Sequence, residues 1–201
     1  MTADPEPGIR YCVEYAKTGS ACFLSHLDLQ AGVERALRRA GLPLAFSQGF
    51  HPRVRMQFED PLPLGWSSDQ ERFWVELVAS YPAREFHLRL NAMVPPGLTV
   101  QRVYLSPAKP RPVAIRLYEA VGDLPSDLID RVPDAFPVAD DEVSKVQLTV
   151  IPGGYRFLLS VAQIGQPLSL KKVLRMLGVQ EEAFATLVVH RHHLAHKQNS
   201  A

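Results

Sequence analysis

The chain has 201 residues, of which 46% are hydrophobic and 21% are charged, and its formal net charge is +1. These values fit one large or two small folded domains, so disorder is not the default expectation. A net charge this small identifies no partner, so binding of a polyanion would have to come from a local cluster of basic residues.

The sequence also argues against membrane, secreted and cluster-containing proteins. No apolar run approaches the length of about 18 residues that a membrane span needs, and the opening "MTADPEPGIR" lacks the layout of a signal peptide. We therefore expect a cytoplasmic protein whose Cys12 and Cys22 are free thiols. Two cysteines are too few for an iron–sulfur cluster, which takes about four, so we expect no cofactor of that kind.

The first predicted elements are a strand and a helix. "IRYCVEYAKTG" alternates apolar and polar residues and predicts a strand with one buried face. Ser25, followed three residues later by Asp28, is an acidic variant of the capping box and predicts the start of a helix. Gly41 and Pro43 predict its end.

Four more elements follow in the first half of the chain. "PLAFSQGF" and "VRMQF" are predicted as strand pieces around a break at Gly49 and Pro52, and "ERFWVELV" as a strand. "PAREFHLRLNAMVPPG" predicts a helix that begins at Pro82, and "LTVQRVYL" predicts a strand. The predicted order is β, α, β, β, α, β.

The second half of the chain repeats this order after a proline-rich linker, "SPAKPRPVA". The predicted elements are a strand in "VAIRLYEAV", a helix in "PSDLIDRVPDAF", two strands in "KVQLTVIPGGYRFLLSVA", a helix capped by Ser169 in "SLKKVLRMLG" and a strand in "ATLVVHRHHLA". We therefore predict an α+β protein of two tandem ferredoxin-like (split βαβ) units, residues 8–107 and 112–196, each an antiparallel sheet with helices on one face.

Arginines dominate the stretch from the first helix to the strand that follows it. Arg35, Arg38 and Arg39 lie on the helix, and Arg53 and Arg55 lie in "SQGFHPRVRMQF". A guanidinium group matches two phosphate oxygens at once, so we predict an anion-binding or RNA-binding cluster. The alternative is a solvated helix face with internal ion pairs.

The turn inside this stretch, together with the helix start, supplies two candidate catalytic histidines. Gln48, Gly49 and His51 are predicted to shape the turn, and His51 is a candidate for contact with an anion. His51 or His26 would act as general base if the protein cleaved RNA. A structural hydrogen bond is the alternative for His51, and a neutral imidazole near the helix amides is expected at His26.

Two further sets of residues have weaker functional interpretations. His190 and His192 share a face of the last predicted strand and are weak candidates for metal ligands, since nothing indicates a third or fourth ligand. A basic, exposed strand end is the alternative. The aromatic residues Phe46, Phe50, Phe58, Phe73 and Trp74 are candidates for stacking on bases or for the core, and either Phe73 or Trp74 is expected to be exposed.

The strings "FLSHLDL", "ERALRRAGLPLAFSQGF", "HPRVRMQF" and "PLPLG" resemble an uncharacterised family of radical SAM-linked proteins. These are small bacterial proteins found alone or fused C-terminal to a B12-binding radical SAM module. In that family the turn is similar to G-F-N-P-H-P-R, followed by an apolar residue and S-F. His51 stands here where asparagine is usual, which favours a polar or phosphate contact over catalysis.

The resemblance implies a radical SAM enzyme as partner, and the lack of cluster cysteines favours an accessory protein over the enzyme itself. The leading hypothesis is a non-catalytic RNA-binding or substrate-presenting module. One alternative is a metal-independent endoribonuclease that uses His51 or His26. The other is a protein adaptor that binds no RNA.

Overall fold

The computed structural model describes residues 8–59, 62–107, 115–132, 145–160, 170–184 and 186–192. The chain divides into two compact units, Met1–Arg111 and Pro112–Ala201. The division falls within the proline-rich stretch "SPAKPRPVA". Both units combine short helices with antiparallel strands, so the protein is of the α+β class.

The first unit contains four described strands and two helices, together with a short 3-10 helix after the first strand. In chain order they are β1 (Ile9–Lys17), the 3-10 helix (Gly19–Phe23), α1 (His26–Arg39), β2 (Met56–Phe58), β3 (Ser67–Leu77), α2 (Ala83–Asn91) and β4 (Leu98–Leu105). β1 pairs with β4 on one side and with β3 on the other, and β2 pairs with the far side of β3. All three pairings are antiparallel, and the order is β4-β1-β3-β2.

The second unit repeats this strand order. Its described elements are β5 (Ile115–Val121), β6 (Lys145–Ile151), β7 (Gly154–Ser160), α3 (Leu170–Met176), α4 (Glu181–Phe184) and β8 (Val188–His192). β5 lies between β8 and β7, and β6 pairs with the far side of β7. All of these pairs are antiparallel, and the pairings give the order β8-β5-β7-β6 within the unit.

The core of the first unit lies between its two helices and one face of the sheet. Because side chains alternate along a strand, Tyr11 and Val13 of β1 point to this face, where they pack with apolar residues of both helices. The buried cluster includes Val33 and Leu37 of α1 together with Phe86 and Leu90 of α2. The intervening residues of β1 and β3 point to the opposite face, which we call the open face of the first unit because neither α1 nor α2 packs on it.

The open face is rich in charged and polar residues. Cys12 of β1 and Trp74 of β3 are buried there, and Arg10 lies opposite Glu76 in the strand register. The expectation that either Phe73 or Trp74 is exposed was wrong. The two rings do point to opposite faces, but these residues are only 2% and 6% exposed.

Two predicted elements differ from the structure in their described residues, and one prediction lies outside them. "PLAFSQGF" forms no continuous strand, because its only pairings among the described residues are isolated bridges at Leu44 and Phe46. The described part of "PSDLIDRVPDAF", through Val132, forms successive turns with hydrogen bonds between residues three apart. Ser169, the predicted cap of α3, lies outside the described residues.

Two further properties of the described residues bear on the class of protein. Cys12 and Cys22 are buried free thiols, as predicted. Within the same part of the chain, none of the helices has the length and apolar character that crossing a bilayer requires.

Candidate functional site

The N-terminus of α1 is closed by its own side chains. Ser25 Oγ accepts a hydrogen bond from the amide of Asp28 at 3.1 Å and donates one to Asp28 Oδ2 at 2.6 Å. These bonds satisfy one of the unpaired amides at the helix start and place a negative charge in the first turn. Ser25 and Asp28 therefore act together as the helix cap.

His26, the first residue of α1, packs against aromatic side chains. Its ring meets Phe58 edge-on at a centroid distance of 5.7 Å, and Phe58 stacks on Phe73 at 5.1 Å. His26 is half-buried in this position. The arrangement gives its imidazole a packing role.

Residues 47–53 form an exposed loop that is closed at its neck. Phe46 and Val54 form an antiparallel bridge, and the amide of Ser47 donates to the carbonyl of Arg53 at 2.8 Å. The amide of Arg53 in turn donates to Ser47 Oγ at 3.0 Å. We call this segment the 47–53 loop.

The tip of the 47–53 loop exposes an aromatic ring. Gly49 has a φ of 127°, a conformation that residues with a side chain rarely adopt. The next residue, Phe50, is fully exposed, and Gln48 and His51 on either side are exposed as well. Among the aromatic candidates, Phe50 is the one that presents its whole ring to solvent.

Arg38 connects α1 to the base of this loop. Its guanidinium lies 4.8 Å from the ring centroid of Phe46, and its Nη2 lies 2.7 Å from Oε1 of Glu34, one helical turn earlier. The cation–π contact and the ion pair both restrain the arginine. Arg38 therefore positions the loop base, and its own charge is partly balanced.

The other two helix arginines differ from Arg38 in their surroundings. Arg39 donates from Nη2 to the carbonyl of Met93 at 2.7 Å, which ties α1 to the segment after α2. The side chain of Arg35 is exposed and makes no hydrogen bond or ion pair with any residue that the structure describes. Of the three, Arg35 has its donors available for a ligand.

Arg55 lies on the other side of the sheet from the helix arginines, although the sequence had indicated one patch for all five. The side chain of Arg53 is exposed at the loop neck and makes no hydrogen bond or ion pair within the described ranges. Arg55 Nη2 lies 2.8 Å from Glu76 Oε2 on the open face. Val54 between them packs into the core on the helix side, so the sheet separates the side chain of Arg55 from α1.

The described residues around His51 do not form the arrangement of a general base. His51 has no hydrogen-bond partner among the residues with described positions, so nothing there orients its imidazole as a general base requires.

The two metal-ligand candidates, His190 and His192, lie close together on β8. Their rings are 4.5 Å apart, and His192 Nε2 lies 3.3 Å from Glu119 Oε2. A hydrogen bond from Arg156 is the main cause of a lowered pKa at Glu119.

The family of the chain follows from its first 124 residues. The profile of a family described as "Uncharacterized protein conserved in bacteria (DUF2344)" matches residues 10–124, more than half of the chain. The chain belongs to this family. The match includes α1 and the 47–53 loop, so both are part of the DUF2344 region.

Other comparisons add no functional information on this DUF2344 protein. No curated protein matches it. A crystal structure of an unknown protein from Galdieria sulphuraria is 14% identical, covers 91% of this chain and 96% of its own, and has a TM-score of 0.29. The first two RRM domains of yeast poly(U) binding protein (Pub1) are 9% identical, with coverages of 89% and 98% and a TM-score of 0.23. Likenesses this distant indicate neither a fold nor a function for this chain.

Proposed function

We propose that this DUF2344 protein is a non-catalytic RNA-binding module that presents its ligand to a radical SAM enzyme. The observation that carries the proposal is the fully exposed ring of Phe50 at the tip of a loop closed by Ser47 and Arg53. An exposed aromatic ring in the same loop as an arginine with available donors is suited to a flexible single strand, whose bases stack and whose phosphates bind guanidinium groups.

Four residues of the loop have roles in this proposal. Phe50 stacks on an unpaired base, and Arg53 contacts a neighbouring phosphate. Gly49 permits the backbone conformation of the tip. His51 donates a hydrogen bond to the ligand, a contact that asparagine could also make.

We also propose that each unit is a ferredoxin-like split βαβ fold. The support is the strand order, because both units place their first strand between the fourth and the third, with the second at the edge. In the first unit, α1 and α2 pack on the same sheet face. A cytoplasmic location and the radical SAM partner stay predictions from the sequence.

RNA binding is tested by fluorescence anisotropy with a labelled single-stranded RNA at about 50 mM salt, where electrostatic contacts are strong. We expect Phe50→Ala to weaken binding about tenfold, since stacking contributes about 1 to 3 kcal/mol per base. Phe23→Ala is the matched control, because Phe23 is also exposed but lies on the 3-10 helix. Wild-type protein that binds no RNA, or equal effects of the two variants, would contradict the proposal.

The adaptor alternative predicts a different result. A pull-down of the radical SAM enzyme that survives nuclease treatment and is lost in Arg38→Glu, without any RNA binding, would favour an adaptor. No observation in the described part of the chain favours the ribonuclease alternative, because His51 lacks an orienting partner there and His26 packs on Phe58.

A further inference from the structure

A small cleft lies on the open face of the first unit, on the side of the sheet opposite α1. Its volume is about 190 Å³. It is lined by Arg10, Arg55, Met56, Gln57, Trp74 and Glu76. β1 supplies the first of these residues, β3 supplies the last two, and the others come from β2 and the residue before it.

Two arginines share one carboxylate in this cleft. Arg10 Nη2 donates to Glu76 Oε1 at 2.8 Å, and Arg55 Nη2 lies 2.8 Å from Glu76 Oε2. Two positive charges against one negative charge give these three side chains a net charge of +1. The cleft is therefore suited to an anion.

One oxygen of the Glu76 carboxylate is buried beneath the cleft surface. Glu76 Oε2 is buried and accepts no hydrogen bond from the described residues, so its contact with Arg55 is ionic. The backbone at Gly8 passes so close that a Cβ there would lie 3.1 Å from Oε2. Glu76 also lines the cleft, so a bound anion would meet a carboxylate whose charge the two arginines already offset.

Both guanidinium groups keep donors for a ligand. The side chains of Arg10 and Arg55 are 27% and 31% exposed. Arg10 uses Nη2 for Glu76, and the side chain of Arg55 makes an ion pair but no hydrogen bond with the described residues. Gln57 adds an exposed amide at the same cleft.

We propose that this cleft binds a phosphate group of the RNA backbone, bridged by Arg10 and Arg55. The inference rests on the proposed function and adds a second contact region for the same ligand. Glu76 balances one of the two positive charges, Gln57 donates a further hydrogen bond, and Trp74 forms an apolar wall. The volume is below the roughly 300 to 1,000 Å³ of sites that enclose a larger organic ligand, and it suits a compact group.

The test is calorimetric titration of the full chain with inorganic phosphate and with adenosine monophosphate. Arg10→Ala and Arg55→Ala should each weaken binding about tenfold, because each removes one of two charge-assisted contacts. Single variants are used since each leaves Glu76 one cationic partner. Arg89→Ala is the charge-matched control, because Arg89 pairs with Glu85 on α2.

Glu76→Gln separates an anion site from a purely structural ion cluster. The substitution keeps the shape of the side chain and raises the net charge of the cluster from +1 to +2, so phosphate should bind about tenfold more tightly. Unchanged or weaker phosphate binding by a Glu76→Gln protein that circular dichroism shows to be folded would overturn the assignment. Absence of phosphate binding by wild type would overturn it as well.

The failure of this inference differs from the failure of the proposed function. If RNA binds and depends on Phe50, but neither phosphate nor adenosine monophosphate depends on Arg10 or Arg55, the cleft assignment is wrong and the proposed function stands. If these small anions bind in the cleft and no RNA binds, the proposed function is wrong and the cleft is an anion site for another ligand.

Discussion

Phe50 places a whole phenyl ring in water at the tip of the 47–53 loop. Burial of such a side chain contributes about 1.5 to 3 kcal/mol to stability, and this residue forgoes that contribution. Packing therefore does not account for an aromatic residue at this position, and the proposed stacking on a base would do so. Phe73, which is buried between the sheet and the helices, is the opposite case.

This contrast predicts that a substitution of Phe50 weakens RNA binding but leaves the stability of the fold nearly unchanged. Phe50→Ala should change the free energy of unfolding by less than about 0.5 kcal/mol, as exposed substitutions usually do. Phe73→Ala should lower it by about 3 to 5 kcal/mol, because it leaves a cavity in the core. Urea denaturation followed by circular dichroism measures both. A large loss of stability in Phe50→Ala would show that the ring packs in solution.

The buried thiol of Cys12 should make the free energy of unfolding fall at alkaline pH. Burial raises the pKa of its thiol from 9.0 to about 11, so the folded state holds the proton more tightly than the unfolded state does. The resulting stability is fully present below pH 9 and is lost as the pH rises through about 11. Burial also raises the pKa of Tyr104, which acts in the same direction.

The check is urea denaturation at about pH 8 and about pH 11 for wild type and Cys12→Ala. The wild-type free energy of unfolding should fall by an amount on the order of 2 kcal/mol more than that of the variant. Equal pH dependence of the two proteins would show that the thiol does not contribute.

At the scale of elements, α1 depends on the cap formed by Ser25 and Asp28. Ser25→Ala removes the acceptor for the Asp28 amide and should lower the free energy of unfolding by about 1 kcal/mol. Ser25→Thr keeps a hydroxyl and should stay close to wild type. Thermal or urea denaturation compares them, and an equal loss in both variants would contradict the capping role.

The sequence predicted those elements whose own residues determine them. The alternation in β1 and the cap and apolar spacing of α1 are local signals, and both elements form where they were predicted. The segment before β2 was predicted less well. Its course depends on bridges to Leu77 and Val54, which are contacts across the fold that local patterns do not encode.

The candidate site was predicted only in part for the same reason. Glycine and proline around Phe50 and His51 indicated a turn, and the 47–53 loop lies there. The pairing of Arg55 with Glu76, and the meeting of both with Arg10, depends on strand register across three segments. A single sequence does not give that register, and the five arginines were consequently assigned to one patch.

At the scale of the whole molecule, the net charge is small, so the strength of polyanion binding depends on where the positively charged side chains lie. Arg53 lies at the loop neck, Arg35 lies on α1, and Arg10 with Arg55 lies on the open face of the first unit. Arg10 and Arg55 already share the negative charge of Glu76, so these cations would displace few counterions from a bound strand. RNA binding should therefore depend on salt, but only modestly.

The most direct test of RNA binding at the 47–53 loop is a salt titration with single-stranded RNA and wild type, Phe50→Ala and Arg53→Ala. We predict a linear fall of log K with log salt, a uniform loss of about tenfold in Phe50→Ala, and a slope reduced by about 0.7 in Arg53→Ala, the contribution of one phosphate contact. Absence of RNA binding by wild type at about 50 mM salt, or coincident lines for all three proteins, would contradict this function.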